Sequence, residues 1–283
     1  MASPRSVSCA FCAARIAVPP GAVKKGDKGE HLWPAWVAKL IRKANPTQRL
    51  FQFFTLQGDS LVMKRRQAVH FKQPVVCTGC NNGWMSVLEN DVRSFLTNAV
   101  VNATPMILAS GTSERFALWA AKNAVVLDHI GLLAGNRKVP FYSPAERFAI
   151  QRYSRIPANI AIRLFRNTSL QFSFAKGTYS ESTPSTRNGD LRNRRVFSAT
   201  FSYVNLGVQV VKVRTVRPAR NAGSLLIRPA SGWADHTTDV WPEPSRPHQW
   251  PPRLSLSTLD ELWEFAHQWT ADKPSIPPVD KSS

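Results

Sequence analysis

Cys9-x-x-Cys12 and Cys77-x-x-Cys80 use every cysteine in the chain, and their spacing constrains the fold more than any other feature. Each short turn offers two thiolates from one bend, and two such turns complete the four soft ligands of a tetrahedral zinc ion, whatever the length of chain between them. The competing use of four thiols is a pair of disulfides in a secreted protein. Against it, 283 residues are enough to build a core without cross-links, and no secretion signal is legible. The mildly apolar stretch from Ala10 to Val23 is interrupted by Arg15, Pro19 and Pro20, which suits neither a signal peptide nor a membrane span. A structural Zn²⁺ in a reducing, cytoplasmic setting is the expectation.

Charge narrows the partner. Lys and Arg outnumber Asp and Glu by 37 to 18, a net charge of +19, and such a field favours a polyanion through counterion release from phosphates. Asp235, Asp239, Glu243, Asp260, Glu261, Glu264, Asp272 and Asp280 concentrate acid near the C-terminal end, so the rest is more basic still. A membrane-surface protein would carry a basic amphipathic helix or a lipidation motif, and neither is present. Nucleic acid is the expected partner, DNA first and RNA not excluded, with no membrane role.

The hydrophobic pattern predicts an α+β chain in two regions, 1–105 and 106–283. In the first, Lys24, Lys25 and Lys28 among glycines read as a basic loop leading to Glu30-His31, and Trp36 to Lys43 as a short helix. Arg49 to Leu56 and Leu61 to Phe71 flank Gly58-Asp59 as a hairpin. Lys64, Arg66 and His70 share one face of its second strand, and Lys64, Arg65 and Arg66 are candidate phosphate contacts. From Met85, the stripe Leu88, Val92, Phe95, Leu96 and Ala99 predicts a helix. In the second region, Ser113 to Leu133 reads as a core helix, with Asp128 and His129 assigned to its end or surface. Period-two patterns at 159–165, 170–174, 196–203 and 206–213 predict an antiparallel sheet of four or five strands. The polar run 176–195 reads as an exposed loop, where Arg187, Arg192, Arg194 and Arg195 suit either a backbone clamp or simple solvation. The Trp- and Pro-rich 233–252 reads as extended packing, and Thr258 with Glu261 as the capping box of a terminal helix.

Phosphodiester hydrolysis needs a base for water, a cation for the phosphate oxygens and groups that fix the phosphate. His31 has the intrinsic pKa for the first task; Glu30 and Asn81 are hard oxygen donors suited to Mg²⁺ or Mn²⁺, whereas thiolates retain zinc. Asn81 is equally suited to capping the helix behind the second Cys pair.

Taken together, Cys9-x-x-Cys12, Glu30-His31-x-x-Pro34 and Cys77-x-x-Cys80-Asn81 resemble the HNH (His-Asn-His) endonucleases of the ββα-metal, treble-clef type. The longer run Cys80-Asn81-Asn82-Gly83-Trp84-Met85 is similar to bacterial and phage members. The resemblance covers about the first hundred residues. It implies a treble-clef zinc module held by the four cysteines, His31 as general base, and Glu30 and Asn81 as ligands of a catalytic divalent ion. The middle Asn of the family pattern has no direct counterpart: Lys72 and Gln73 stand there, and Gln73 offers an amide to orient His31, with His70 a less well placed substitute. The expected activity is metal-dependent cleavage of DNA; the competing expectation is a zinc-finger nucleic-acid-binding protein without catalysis.

Overall fold

The structure, a computed structural model, describes residues 5–18, 30–31, 35–44, 51–57, 60–66, 72–73, 75–133, 139–157, 159–168, 174–180, 194–215, 227, 231–242 and 248–268. It mixes helix and sheet, with the cysteines gathered in the N-terminal region. Strands β1 (Arg5–Ser8) and β2 (Arg15–Val18) pair as a hairpin whose register, Ser8 opposite Arg15, leaves the first Cys pair in the connecting loop. Strand β3 (Glu30–His31) pairs antiparallel with β6 (Lys72–Gln73). Between them in the chain lie helix α1 (Ala35–Ala44) and the hairpin of β4 (Phe51–Gln57) with β5 (Ser60–Arg66). Helix α1 buries Val37 and Ile41, one turn apart, and leaves Lys39, Arg42 and Lys43 in solvent.

Behind the second Cys pair the chain is helical in short pieces. One turn (Thr78–Cys80) leads into Asn81–Met85, where Gly83 departs from helical geometry; α2 (Ser86–Asp91), α3 (Arg93–Thr97) and a wide turn (Asn98–Asn102) follow. The expected stripe of Leu88, Val92, Phe95, Leu96 and Ala99 is buried throughout. After β7 (Met106–Leu108), helix α4 (Ser110–Leu133) is enclosed from Phe116 to Val126. Helix α5 (Pro144–Tyr153) starts on a capping box between Ser143 and Glu146 with Pro144 at its first position.

The remaining strands are β8 (Ile160–Asn167), β9 (Phe174–Ser180), β10 (Arg194–Tyr203), β11 (Leu206–Thr215), β12 (Thr237–Trp241), β13 (His248–Trp250) and β14 (Ser255–Leu256), before the capped terminal helix α6 (Leu259–His267). The main sheet runs β12-β8-β11-β10-β9-β4-β5, with β14 added on β8. It corrects the sequence reading in two respects. The sheet is mixed, because β4 joins β9 in parallel and β14 joins β8 in parallel. The segment read as the start of a polar loop is strand β9, paired with β10 from Ala175 opposite Phe201 to Ser180 opposite Val196; pairing to a buried neighbour overrides polar composition. Residues 181–193, with Arg187 and Arg192, lie outside the described residues, as do the Lys24–Lys28 loop and His70.

One hydrophobic cluster crosses the expected boundary at residue 105, running from Cys9, Val37, Val75 and Leu88 through Trp119 to Ile162 and Val210. Two ion pairs are enclosed with it. Lys122 Nζ on α4 donates to Glu89 Oε1 on α2 at 2.8 Å, and Lys212 Nζ on β11 donates to Glu146 Oε1 on α5 at 2.5 Å. Asp128 and His129 are buried as well, another correction. Asp128 Oδ2 accepts the backbone N–H groups of Phe141 (2.8 Å) and Tyr142 (3.1 Å), holding the chain as it returns from α4 towards α5.

Breaking the Lys122–Glu89 pair from one side strands a charge that is almost without solvent. Glu89→Gln is expected to cost about 3 kcal/mol or more, and the double change Glu89→Leu with Lys122→Met to recover most of that, as read from urea unfolding. Burial opposes ionisation of Glu146, but Lys212 and the hydrogen bonds at Ser143 outweigh it and hold its carboxyl below the usual range. A carboxylate with a lowered folded pKa stabilises above its unfolded value and loses that contribution as pH falls through its folded value. The stability gap between the parent and Glu146→Gln should therefore be full at neutral pH and shrink below about pH 4, measured by denaturant midpoints across that range.

Candidate metal centre

The four cysteine sulfurs lie within 4.8 Å of one another, although the two pairs are far apart in the chain. Cys12 Sγ and Cys77 Sγ, across a separation of 65 residues, are 3.5 Å apart, and no disulfide is formed. A tetrahedral ion with Zn–S bonds of about 2.3 Å sets its sulfurs roughly 3.8 Å apart, whereas a disulfide needs about 2.05 Å. The arrangement fits the former.

Local backbone explains how each turn presents its pair. In the first, Ala13 takes the left-handed conformation (φ 59°), and the Cys9 N–H donates to the Ala14 carbonyl at 2.8 Å, folding the loop back on itself. In the second, Cys77 caps the turn, its sulfur accepting the Cys80 N–H at 3.5 Å. The turns are joined by the Ala10 N–H donating to the Val75 carbonyl (2.8 Å), by the Cys77 N–H on Cys9 Sγ (3.4 Å), and by Phe11 packed edge-on against Trp84 at 5.0 Å.

Electrostatics also asks for a cation. Burial and the neighbouring Cys9 push the Cys80 thiol well up, and burial pushes up Cys12. Burial opposes ionisation of Cys9 too, but backbone N–H groups of Cys12, Cys77 and Phe11 outweigh it and its thiol titrates below the ordinary value. Four thiolates at this spacing coexist near neutral pH when a bound dication offsets their repulsion. Cys9 and Cys80 are buried, Cys77 is half-buried and Cys12 lies outermost.

Helix α5 supports the centre from outside the cysteine turns, which sequence spacing does not reveal. Arg147 Nη1 donates to the Ala10 carbonyl (2.7 Å) and meets His129 Nε2 at 3.0 Å, while Gln151, one turn on, donates to Cys80 Sγ at 3.6 Å. These contacts reach across 137 and 71 residues. Amide and guanidinium donors around metal thiolates orient the ligands and hold the turns in place.

The other expected site residues fall into two groups. Glu30 stands opposite Gln73 and His31 opposite Lys72 on the β3/β6 ribbon, and Lys64, Arg65 and Arg66 end β5 opposite Phe53, Gln52 and Phe51; the structure describes the backbone of these residues and not their side chains. Asn81 is half-buried directly after Cys80, its backbone N–H donating to the Cys77 carbonyl at 3.0 Å. The N-caps of the three helical pieces here are Cys77, Cys80 and Met85, and the Cys77 sulfur takes the capping bond of the first. Leu88 is buried in the core as expected, and Trp84 packs against it half-buried.

Purified protein is expected to carry about one equivalent of zinc per chain by elemental analysis. Cys80→Ser should lose the metal and several kcal/mol of stability, on the order of the gain that metal binding gives small zinc modules. Full metal content in that variant would remove Cys80 from the ligand set. No model of a known protein family, no curated protein and no solved structure matches the chain, so any function rests on these residues and their placement.

Proposed function

We propose that the chain is a divalent-metal-dependent endonuclease hydrolysing phosphodiester bonds in DNA, built on a treble-clef, ββα-metal module with zinc at the four cysteines. The observation that carries this reading is the register of β3 against β6. The ribbon holding Glu30 and His31 faces the strand that runs, within four residues of Gln73, into Cys77 and the turn ending at Asn81. Ribbon, knuckle and helical run then follow in the order such a module requires.

Donor chemistry fits a second ion. The Glu30 carboxylate and Asn81 amide are hard oxygen donors that would hold an Mg²⁺ or Mn²⁺ ion. Bound there, it would supply charge stabilisation for the phosphate and the departing 3′-oxygen. The task of His31 is to take a proton from the attacking water, for which an imidazole with a pKa near about 6.5 is suited at neutral pH. Gln73, the amide proposed to orient His31, stands opposite Glu30 on the ribbon, and Lys72 stands opposite His31. Lys64, Arg65 and Arg66 supply cations for the backbone of the substrate. Thiolates that hold zinc persist in a reducing compartment, which suits a cytoplasmic protein.

Supercoiled plasmid should be nicked in Mg²⁺ or Mn²⁺ and not in their absence. His31→Ala should slow nicking by about 100-fold or more while keeping its zinc, since general-base removal costs on this order. Equal cutting by the variant would dismiss His31 as the base. Salt-sensitive binding to DNA or RNA without cleavage in any divalent ion would identify a zinc-finger binding protein instead.

A further inference from the structure

We propose that the exposed aromatic pair Phe148 and Tyr153, with Arg152 and Arg155, is a stacking subsite for an unpaired base of the nucleic-acid strand, an inference that rests on the nucleic-acid reading above. Helix α5 buries Ile150 and turns Arg147 and Gln151 to the cysteine centre. Phe148 and Tyr153 on the same helix are exposed, at 42% and 66%. Their rings meet edge to face with centroids 5.9 Å apart, and the Arg152 guanidinium lies 5.8 Å from the Phe148 centroid. Arg152 and Arg155 are exposed as well.

Stray apolar residues on a surface are ordinary, and Val87, Ile107, Val139 and Leu254 are such cases. Phe148 and Tyr153 differ from them: they are aromatic, touch each other and carry a cation beside them. Two partly exposed rings fall short of the roughly 300–600 Å² of contiguous apolar surface typical of functional protein-binding patches. They match one planar base flanked by phosphates, for which aromatic rings supply sequence-tolerant stacking and arginines the charge. The net charge of +19 points to the same partner. Position agrees as well: Gln151, on the same helix as both rings, donates to Cys80 Sγ, whose neighbour Asn81 belongs to the proposed reaction site. A duplex hides its base faces in the stack, and the pair can therefore serve only a strand whose bases are unpaired, at a loop, a fray or a nick.

The test is fluorescence anisotropy, without added divalent ion, of a labelled single strand and of its duplex with the parent, Tyr153→Ala, Phe148→Ala and Tyr153→Trp. Unchanged zinc content and denaturant midpoints would show that the variants are folded. Each alanine change is expected to weaken single-strand binding about 10-fold and duplex binding less than about 2-fold, while Tyr153→Trp restores the single-strand affinity. Single-strand binding unaltered by the alanine changes, or an equal loss on strand and duplex, overturns the subsite. Plasmid nicking run alongside separates the two ideas: persistent nicking with unaltered binding rejects the subsite and keeps the nuclease, whereas the expected binding pattern without nicking does the reverse. A parent that binds neither strand nor duplex overturns the subsite, whatever the nicking assay shows.

Discussion

Four sulfurs held within bonding reach of one cation are the constraint on which the N-terminal half depends. Closing a loop of this length is entropically unfavourable, and the chain between Cys12 and Cys77 carries the ribbon, α1 and a hairpin that joins the main sheet at β9. Joining the two turns fixes both ends of that insertion. The hydrogen bonds between Ala10 and Val75 and between Cys77 and Cys9 hold the turns in the same register as the sulfurs, so ligand geometry and backbone geometry agree. From the sulfurs a line of polar contacts continues outward. Gln151 and Arg147 tie the turns to α5, and Glu146 on the same helix ties α5 to Lys212 in the sheet. The Arg147 and Glu146 contacts are charge-assisted and partly buried, so each is strong when complete and costly when half-made.

How much of this is legible in sequence depends on whether the signal is local. The cysteine turns declare themselves because two ligands come from a single bend, and the helix stripe from Leu88 to Ala99 because burial repeats with the helical period. The capping box of Thr258 and Glu261 is local in the same sense. By contrast, β9 contains Lys176, Gly177, Thr178 and Ser180, a composition that says loop; only the presence of β10 on one side and β4 on the other makes it a strand. Asp128 and His129 look like surface residues for want of a visible partner, and those partners, Phe141, Tyr142 and Arg147, arrive after a turn outside the helix. Helix α5 is a different case. Ser143-Pro144-Ala145-Glu146 is a complete start signal, but the weakly amphipathic residues behind it mask the helix.

The candidate site divides along the same line. The cysteines and Asn81 are readable as a motif, and the ribbon register that brings Glu30 opposite Gln73 is a long-range pairing no local pattern specifies. Arg147 and Gln151 carry no sequence mark of their role at all, since a donor at helical spacing becomes a support for a metal centre only through what lies across from it.

The parallel pairing of β4 with β9 also has a bearing on how the chain is made. Phe53 meets Ala175, so roughly 120 residues must leave the ribosome before the hairpin finds its neighbour, a wait on the order of ten seconds at ordinary rates of translation. Throughout it the apolar strand of Phe51, Phe53 and Phe54 has an unpaired edge, the kind of edge that nascent chains tend to join to one another. Lys64, Arg65 and Arg66 on the other strand of that hairpin carry like charge, and mutual repulsion between copies is a guard that works before the sheet exists.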